Sequence, residues 1–279
     1  MSGAAAARPV TVIRPRTGWM DLGLGEVWRQ RELLYFLVWR DLKVRYAQAS
    51  LGMAWAVIQP LVAVAIFTVI FGFFAKLPSD GFPYPVFAYA AILPWTYFSE
   101  AVRRSSFGLV GDAELVKKVY FPRLIIPMAN IVSPLMDFAV SLVALVLLML
   151  WYGLVPTLSL LAVPPLLVLT AALALAIGLW LGPINVRYRD VMHTVPFMLQ
   201  IWMYATPIVY PLSMVPERFK LLYSLNPAVG LIEGFRWAVL GKGTLDTVSL
   251  TISAVVTVVL LVGGLLWFRR EERQFADVI

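Results

Sequence analysis

Two carboxylates interrupt otherwise apolar stretches of the chain. Glu100 stands near the end of a run from Tyr84 to Val102, and Asp137 lies about half-way along a run from Leu124 to Trp151. A carboxylate at mid-membrane can bind and release a proton or sodium ion, as in an ion-coupled carrier, or make a structural hydrogen bond to a neighbouring helix or pore water. Residue type leaves both open. Arginines form the second chemical set. Arg187 and Arg189, with Arg40 and Arg45 upstream, carry planar forks of donors suited to phosphate, although anchoring to lipid headgroups explains the same residues.

The remaining inventory closes off other chemistries. There is no cysteine, which excludes a thiolate nucleophile, a disulfide framework and Cys-type metal sites, and a single histidine argues against most transition-metal sites. His193, at the start of an apolar run, reads as a helix-end interface residue rather than a catalytic base. Gly241-Lys242-Gly243-Thr244 lacks the spacing of a phosphate-cradling loop, so the chain does not bind ATP in that way. A membrane glycosyltransferase would need paired acids in a polar loop, whereas Asp112, Glu114 and Asp190 are scattered beside basic residues.

These residues must be positioned by helices in lipid. The 279 residues are 61% hydrophobic and 14% charged, with a mean hydropathy of +0.81, too apolar for an ordinary soluble domain. A hydrocarbon layer of roughly 30 Å requires about 20 apolar residues of helix. The sequence predicts an all-α membrane protein with six spans: Met53 to Ala75, Tyr84 to Val102, Leu124 to Trp151, Leu160 to Pro183, Val191 to Tyr210 and Thr247 to Phe268. The uncharged run from Phe138 to Val186 is too long for one helix and must turn near Trp151-Tyr152-Gly153 and Pro156.

Basic residues set the orientation, because loops rich in Lys and Arg stay in the cytoplasm. With both termini inside, eight basic residues up to Arg45, five after span two, Arg187 and Arg189, and three at the C-terminus are cytoplasmic, against five outside. The net charge of +7 is thus spread between spans and not gathered on one soluble face, which argues against nucleic acid. Residues 1–25, with Arg8, Arg14 and Arg16 and no apolar leader segment, read as a retained flexible cytoplasmic tail. Residues 26–50 read as an amphipathic helix in the cytoplasmic interface, with a soluble docking helix as the alternative, and 51–279 as the six-helix domain with a cytoplasmic C-terminus. The external segment from Pro216 to Thr244, with Asn226-Pro227, Glu233 and Arg236, reads as a pair of short re-entrant or surface helices.

Five strings carry a family resemblance. They are Arg40-Asp41-Leu42-Lys43-Val44-Arg45-Tyr46 with Leu51-Gly52 and Gln59-Pro60; Leu115 to Arg123 (LVKKVYFPR); Asn185 to Val191 (NVRYRDV); Asn226-Pro227 with Glu233-Gly234-Phe235-Arg236-Trp237; and the terminal Phe275-Ala276-Asp277-Val278-Ile279. In this order the chain resembles, along almost its whole length, the membrane permease subunit of ATP-binding-cassette polysaccharide exporters of the O-antigen, teichoic-acid and capsule type, and looks most like the O-antigen branch. The resemblance implies a homodimer bound to two copies of a separate nucleotide-binding ATPase, with ATP and Mg on that partner and no cofactor on this chain. It implies an undecaprenyl-linked or other lipid-anchored glycan as cargo, moved within membrane lipids by a subunit with no catalysis of its own. It also assigns ATPase coupling to Arg40, Asp41, Lys43, Arg45, Glu114, Lys117, Lys118 and Arg123, with Asp112-Ala113 departing from the asparagine often found there.

On that reading Arg187 and Arg189 are candidates for the lipid diphosphate. Trp55, Tyr89, Trp95, Tyr97, Phe98, Trp202 and Tyr204 are candidates for a track of flat ring faces on which a glycan slides; the alternative is the aromatic belt of a membrane interface. The competing transport reading is a permease for a drug, lipid or other small hydrophobic substrate.

Overall fold

The computed structural model describes residues 24–47, 52, 54–188, 190–241, 244–272 and 275. The expected tail therefore lies outside the described residues almost entirely, as do Arg189 and the last four residues. Among the described residues the chain is helical and has no strand. The elements are α1 (Leu24–Arg29), α2 (Arg31–Ala47), α3 (Ala54–Phe67, continued as a π-helical turn over Thr68–Phe74), α4 (Tyr84–Gly111), α5 (Ala113–Lys118), α6 (Ile125–Val132), α7 (Leu135–Trp151), α8 (Val163–Arg187), α9 (Val191–Tyr204), α10 (Glu217–Ser224), α11 (Pro227–Leu240) and α12 (Thr247–Glu271).

Among the described residues, four helical stretches are long and apolar enough to cross a bilayer: Ala54–Phe74, Ile125–Trp151, Leu158–Arg187 and Thr247–Glu271. They correspond to expected spans one, three, four and six. Span three is broken where Pro134, which has no N–H to donate, follows Ser133. The expected second span is α4, whose 28 residues run on past Val102 to Gly111 and carry Glu100, Arg103 and Arg104. The expected fifth span is shorter than the sequence suggests. Helix α9 has 14 residues, about 21 Å, and ends at Tyr204. Pro207 and Pro211 explain the difference, since a residue preceding proline is pushed out of the helical region and 205–211 leave the helix together.

Helix α4 is the centre of the molecule and packs on α3, α6, α7, α8, α9 and α11. Every residue from Val86 to Trp95 on it is buried. Its closest neighbour, α8, comes near because Gly178 faces Ser105: a methyl group at Gly178 would overlap the Ser105 side chain. Small residues let helix backbones approach where lipid supplies no hydrophobic drive. Asn185, in one of the family strings, is buried at the end of α8 and donates from Nδ2 to the Ser106 carbonyl at 3.3 Å. Helix α12 joins α8 through the stacked rings of Trp180 and Trp267, and Trp180 Nε1 donates to the Leu260 carbonyl at 3.0 Å.

Helix α11 sits among α4, α8 and α12 and is buried on nearly every side. Gly230 lies against the Ser249 backbone carbonyl of α12. The helix is stopped by Gly241, whose φ of +66° is the left-handed conformation of a helix C-cap. A second apolar cluster lies at the other end of the molecule. Val27 and Leu37 from α1 and α2, Val116, Phe121, Leu124 to Ile126, and Phe268 and Phe275 from the end of the chain pack together there. This end also carries most of the arginines.

Candidate functional site

The basic end is a set of ties between elements that are distant in sequence. Arg40, on α2, donates to Asp41 Oδ1 from Nε at 3.1 Å and from Nη2 at 2.9 Å, and the same Nη2 lies 2.9 Å from Asp112 at the junction of α4 and α5. Burial works against the Arg40 charge, and the two carboxylates outweigh it, so its pKa ends above the usual value. Burial pushes the Asp112 carboxyl above the usual carboxylate range, and Arg40 pulls it part of the way back. Of the residues expected to couple to an ATPase, Arg40 therefore bridges Asp41 and Asp112, and Lys43 alone of the α2 set is exposed and outside these ties.

Arg45 and Tyr46, in the last turn of α2, both reach Asp137 in the first turn of α7, one on each carboxylate oxygen. Burial, then the bond to Asp137, pushes the Tyr46 phenol up to about 12, so it stays a neutral donor. One turn along α7, Ser141 donates to the Ala56 carbonyl at 2.6 Å in the first turn of α3. Asp137 and Ser141 thus tie the end of α2 and the start of α3 to one helix. Half-way along span three by sequence, Asp137 is paired with the end of α2 and is not an isolated carboxylate. The Arg45 Nε and Nη2 atoms are buried without a protein partner among the described residues.

The segment from Glu114 to Arg123 divides into an exposed part and a tied part. Glu114 and Lys118 pair at 2.7 Å with both side chains mostly in solvent, and Lys117, Val119 and Tyr120 are exposed as well. Arg123 is an internal tie. Its backbone N–H donates to Glu272 Oε1 at 3.3 Å, its guanidinium donates to the Glu272 carbonyl, and it lies over the Phe275 ring at 5.8 Å. Arg269 donates to the other Glu272 oxygen at 2.7 Å. Arg187 is drawn to the same region, with Nη2 3.3 Å from Glu271. Its partner in the expected phosphate site, Arg189, is outside the described residues.

Glu100 is held between two arginines. Arg103 donates to it from Nε at 2.9 Å and from Nη2 at 2.8 Å, and Arg104 from Nε at 2.5 Å. The spacings of three and four residues bring both guanidinium groups to the carboxylate on one helix.

At the opposite end, Asn226, Glu233 and Arg236 pin the connection that follows α9. Asn226 caps α11 by accepting from Ala228 N at 3.0 Å, accepts from Trp202 Nε1 at 2.7 Å, and donates to the Ala205 carbonyl and Thr206 Oγ1 at 3.2 Å. Arg236 is 5% exposed. It donates to Glu233 at 2.5 Å and to the carbonyls of Pro207 and Ile208 at 2.6 and 3.2 Å, and stacks over Phe87 of α4 at 3.9 Å. Tyr84 adds a bond from its hydroxyl to the Val209 carbonyl at 2.7 Å.

The structure divides the seven rings of the expected track. Tyr89, Trp95, Tyr97 and Phe98 are buried inside this one chain, where Tyr97 donates to the Ile131 carbonyl at 3.1 Å and Trp95 and Phe98 pack edge-on against Trp202. A buried ring has no face to offer a passing sugar in this conformation. Trp202 is partly buried, and Trp55 and Tyr204 are exposed. The ties made by Tyr46, Glu271 and Glu272 are absent from the sequence expectations, and Arg103 and Arg104 stand there only as basic loop residues. The spacing to Glu100 is a sequence signal for the last two; the others depend on elements brought together by the fold.

The chain is 31% identical over 256 residues to an O-antigen export system permease protein, RfbA, of Myxococcus xanthus, covering 91% of this chain and 98% of that protein. It is 28% identical over 249 residues to the O-antigen export system permease protein RfbA of Klebsiella pneumoniae, covering 89% and 95%. It is 26% identical over 251 residues to the polysialic acid transport protein KpsM of Escherichia coli, covering 87% and 95%. The family profile described as ABC-2 type transporter matches residues 32–240, three quarters of a multi-pass helical chain, and the chain belongs to the ABC-2 type transporter family.

Proposed function

We propose that this chain is the transmembrane subunit of an ABC exporter that carries a lipid-linked polysaccharide, of the O-antigen kind, across the bacterial inner membrane. The observation that carries this is near full-length similarity to permeases named for two different polymers, O-antigen and polysialic acid. Shared similarity to both fits a pathway that tolerates many sugars. A separate ATPase supplies the energy and holds the ATP and Mg, and this subunit contributes the path.

The basic end faces the cytoplasm, with six crossings and both termini inside; α4 and α9 supply the second and fifth, and α10 and α11 form a re-entrant hairpin from the outside. Two copies pair through the long uncovered faces of α3 and α9, which present Val62, Ile66 and Ile70, and Phe197 and Ile201. The ATPase meets the exposed surface of Lys43, Glu114, Lys117 and Lys118. Behind that surface, Arg40 with Asp112, Arg45 with Asp137 and Arg123 with Glu272 pass its movement into α4, α7 and α12, because a charged element held to rigid spans moves with them. Trp55 and Tyr204 are the rings left to meet the glycan.

Deleting the chain in its own cell, with surface polysaccharide and the cytoplasmic pool of lipid-linked glycan assayed together, tests the reading. Loss at the surface with accumulation inside is the expected result. Unchanged surface glycan would move a drug- or lipid-exporting permease to first place.

A further inference from the structure

Helix α4 is enclosed almost all round from Tyr84 to Trp95, yet from Thr96 onward its neighbours leave one stripe uncovered. Thr96 is exposed, and Ser99, Glu100, Arg103 and Arg104 are partly so, while Tyr97, Phe98, Ala101, Val102, Ser105 and Ser106 between them are buried. Residues three and four apart share a helix face, so the stripe is continuous and polar. At 1.5 Å per residue Glu100 is about 24 Å from the start of α4, close to one boundary of a hydrocarbon layer about 30 Å thick. Ionised and polar groups that line a span inward from its end mark paths for polar cargo, because lipid tails do not solvate them.

The ion cluster on the stripe keeps a surplus of donors. One carboxylate holds two guanidinium groups, which leaves a single net positive charge, and the remaining N–H groups of both forks have no partner among the described residues. Glu100 fixes the two forks side by side before any ligand arrives, which removes much of the ordering cost of binding.

We infer that Glu100, Arg103 and Arg104 form the receiving site for the diphosphate of the lipid-linked glycan, with Ser99 and then Thr96 as its next polar contacts along α4. The inference rests on the polysaccharide-export reading and gives that reading its point of entry. Arg103 and Arg104 bind phosphate oxygens; Glu100 is a positioning residue that touches only the arginines. Two adjacent planar forks suit two linked phosphates. The polar surface running inward from them suits a headgroup that has to cross, where an ordinary phospholipid would need only apolar helix above its headgroup. Arg187, an alternative for the same role, is drawn to Glu271.

The test uses the full permease and ATPase complex in phosphatidylcholine nanodiscs with a diazirine-bearing undecaprenyl diphosphate. Photocrosslinking to the permease is measured against probe concentration. The half-saturating concentration should rise about tenfold or more in the double variant Arg103→Gln, Arg104→Gln, the scale of losing hydrogen bonds to a charged group. It should rise less in Arg103→Lys, which keeps the charge and loses the fork, and excess phosphatidylglycerol should not compete. Thermal unfolding of each variant identifies any that fail to fold, and Arg103→Lys then decides alone. Unchanged half-saturation in folded variants, or displacement by phosphatidylglycerol, overturns the site while leaving the export reading intact. A wild-type complex that never captures the probe overturns the site together with the lipid-linked reading.

Discussion

Arg45 in the last turn of α2 is ion-paired with Asp137 in the first turn of α7, and Tyr46 binds the other oxygen of the same carboxylate. The link spans 92 residues of sequence. It fastens the helix that lies beside the bundle to a helix that crosses it, next to the point where Ser141 grips α3.

Asp137→Ala leaves Arg45 partly buried and without its carboxylate, a change worth about 1–3 kcal/mol. Asp137→Asn keeps an acceptor for Tyr46 and costs less. The informative readout is ATP hydrolysed per polymer exported, which should rise in both variants if the pair transmits force. The exchange Arg45→Asp with Asp137→Arg should recover part of the coupling; unchanged coupling in Asp137→Ala would reduce the pair to a structural contact.

Arg236 is the sharper stability test. Its guanidinium satisfies Glu233, two backbone carbonyls and the face of Phe87 at once, and no other side chain has that shape. Arg236→Ala leaves the partly buried Glu233 carboxylate and two backbone carbonyls without their donor and should cost about 3–5 kcal/mol. Arg236→Lys should recover only part of this. Limited proteolysis at the 205–211 connection, compared with thermal unfolding, would reveal whether the loss is local to the strap that follows α9.

Two glycines with similar sequence surroundings should respond differently. Gly178→Ala meets the Ser105 side chain, so a destabilisation of about 1–3 kcal/mol should be relieved by adding Ser105→Gly. Gly230→Ala meets the Ser249 backbone carbonyl, which no side-chain change can remove. Ser253→Ala should therefore fail to rescue it. Equal rescue of both, measured by unfolding midpoints in detergent, would contradict this packing.

Asp112 sets a pH dependence. A carboxyl raised above its usual range holds its proton more tightly in the folded chain than in the unfolded one. The stability it contributes is present below the unfolded pKa, about 3.9, and is lost as pH rises through the folded value. Arg40→Gln removes the group that pulls Asp112 back down, so the fall should extend to higher pH. In Asp112→Asn this component should vanish. Unfolding midpoints from pH 4 to 8 that are parallel in all three proteins would contradict the assignment.

The helices were legible in the sequence because apolar runs of span length have few alternatives in lipid, and so were the breaks at Trp151-Tyr152-Gly153 and at Asn226-Pro227. Helix α9 is shorter than its apolar run, which continues to Tyr210; periodicity does not register a strap held by Arg236 and Tyr84 from other helices. The rings of the expected track were identifiable as aromatic, but which face of α4 is covered depends on α8 and α11, far away in sequence. Glu100 with Arg103 and Arg104 was readable from spacing on one helix. Arg123 with Glu272 joins elements 149 residues apart and could come only from the fold.

That last tie separates two kinds of basic residue in the same segment. Lys117 and Lys118 are exposed, and among the described residues Lys118 has only Glu114, itself in solvent, as a partner. Reversing both lysines to glutamate should leave the unfolding midpoint of the isolated permease almost unchanged, since exposed pairs contribute about 0–1 kcal/mol, while binding of the ATPase weakens. Arg123→Ala should do the reverse at first order, loosening the end of α12 and lowering the midpoint even with no ATPase present. Pull-down of the ATPase and unfolding of the permease alone, run on both variants, resolve the two roles. If the lysine reversals destabilise the permease as much as Arg123→Ala does, the segment is a structural element throughout and the docking surface must lie elsewhere.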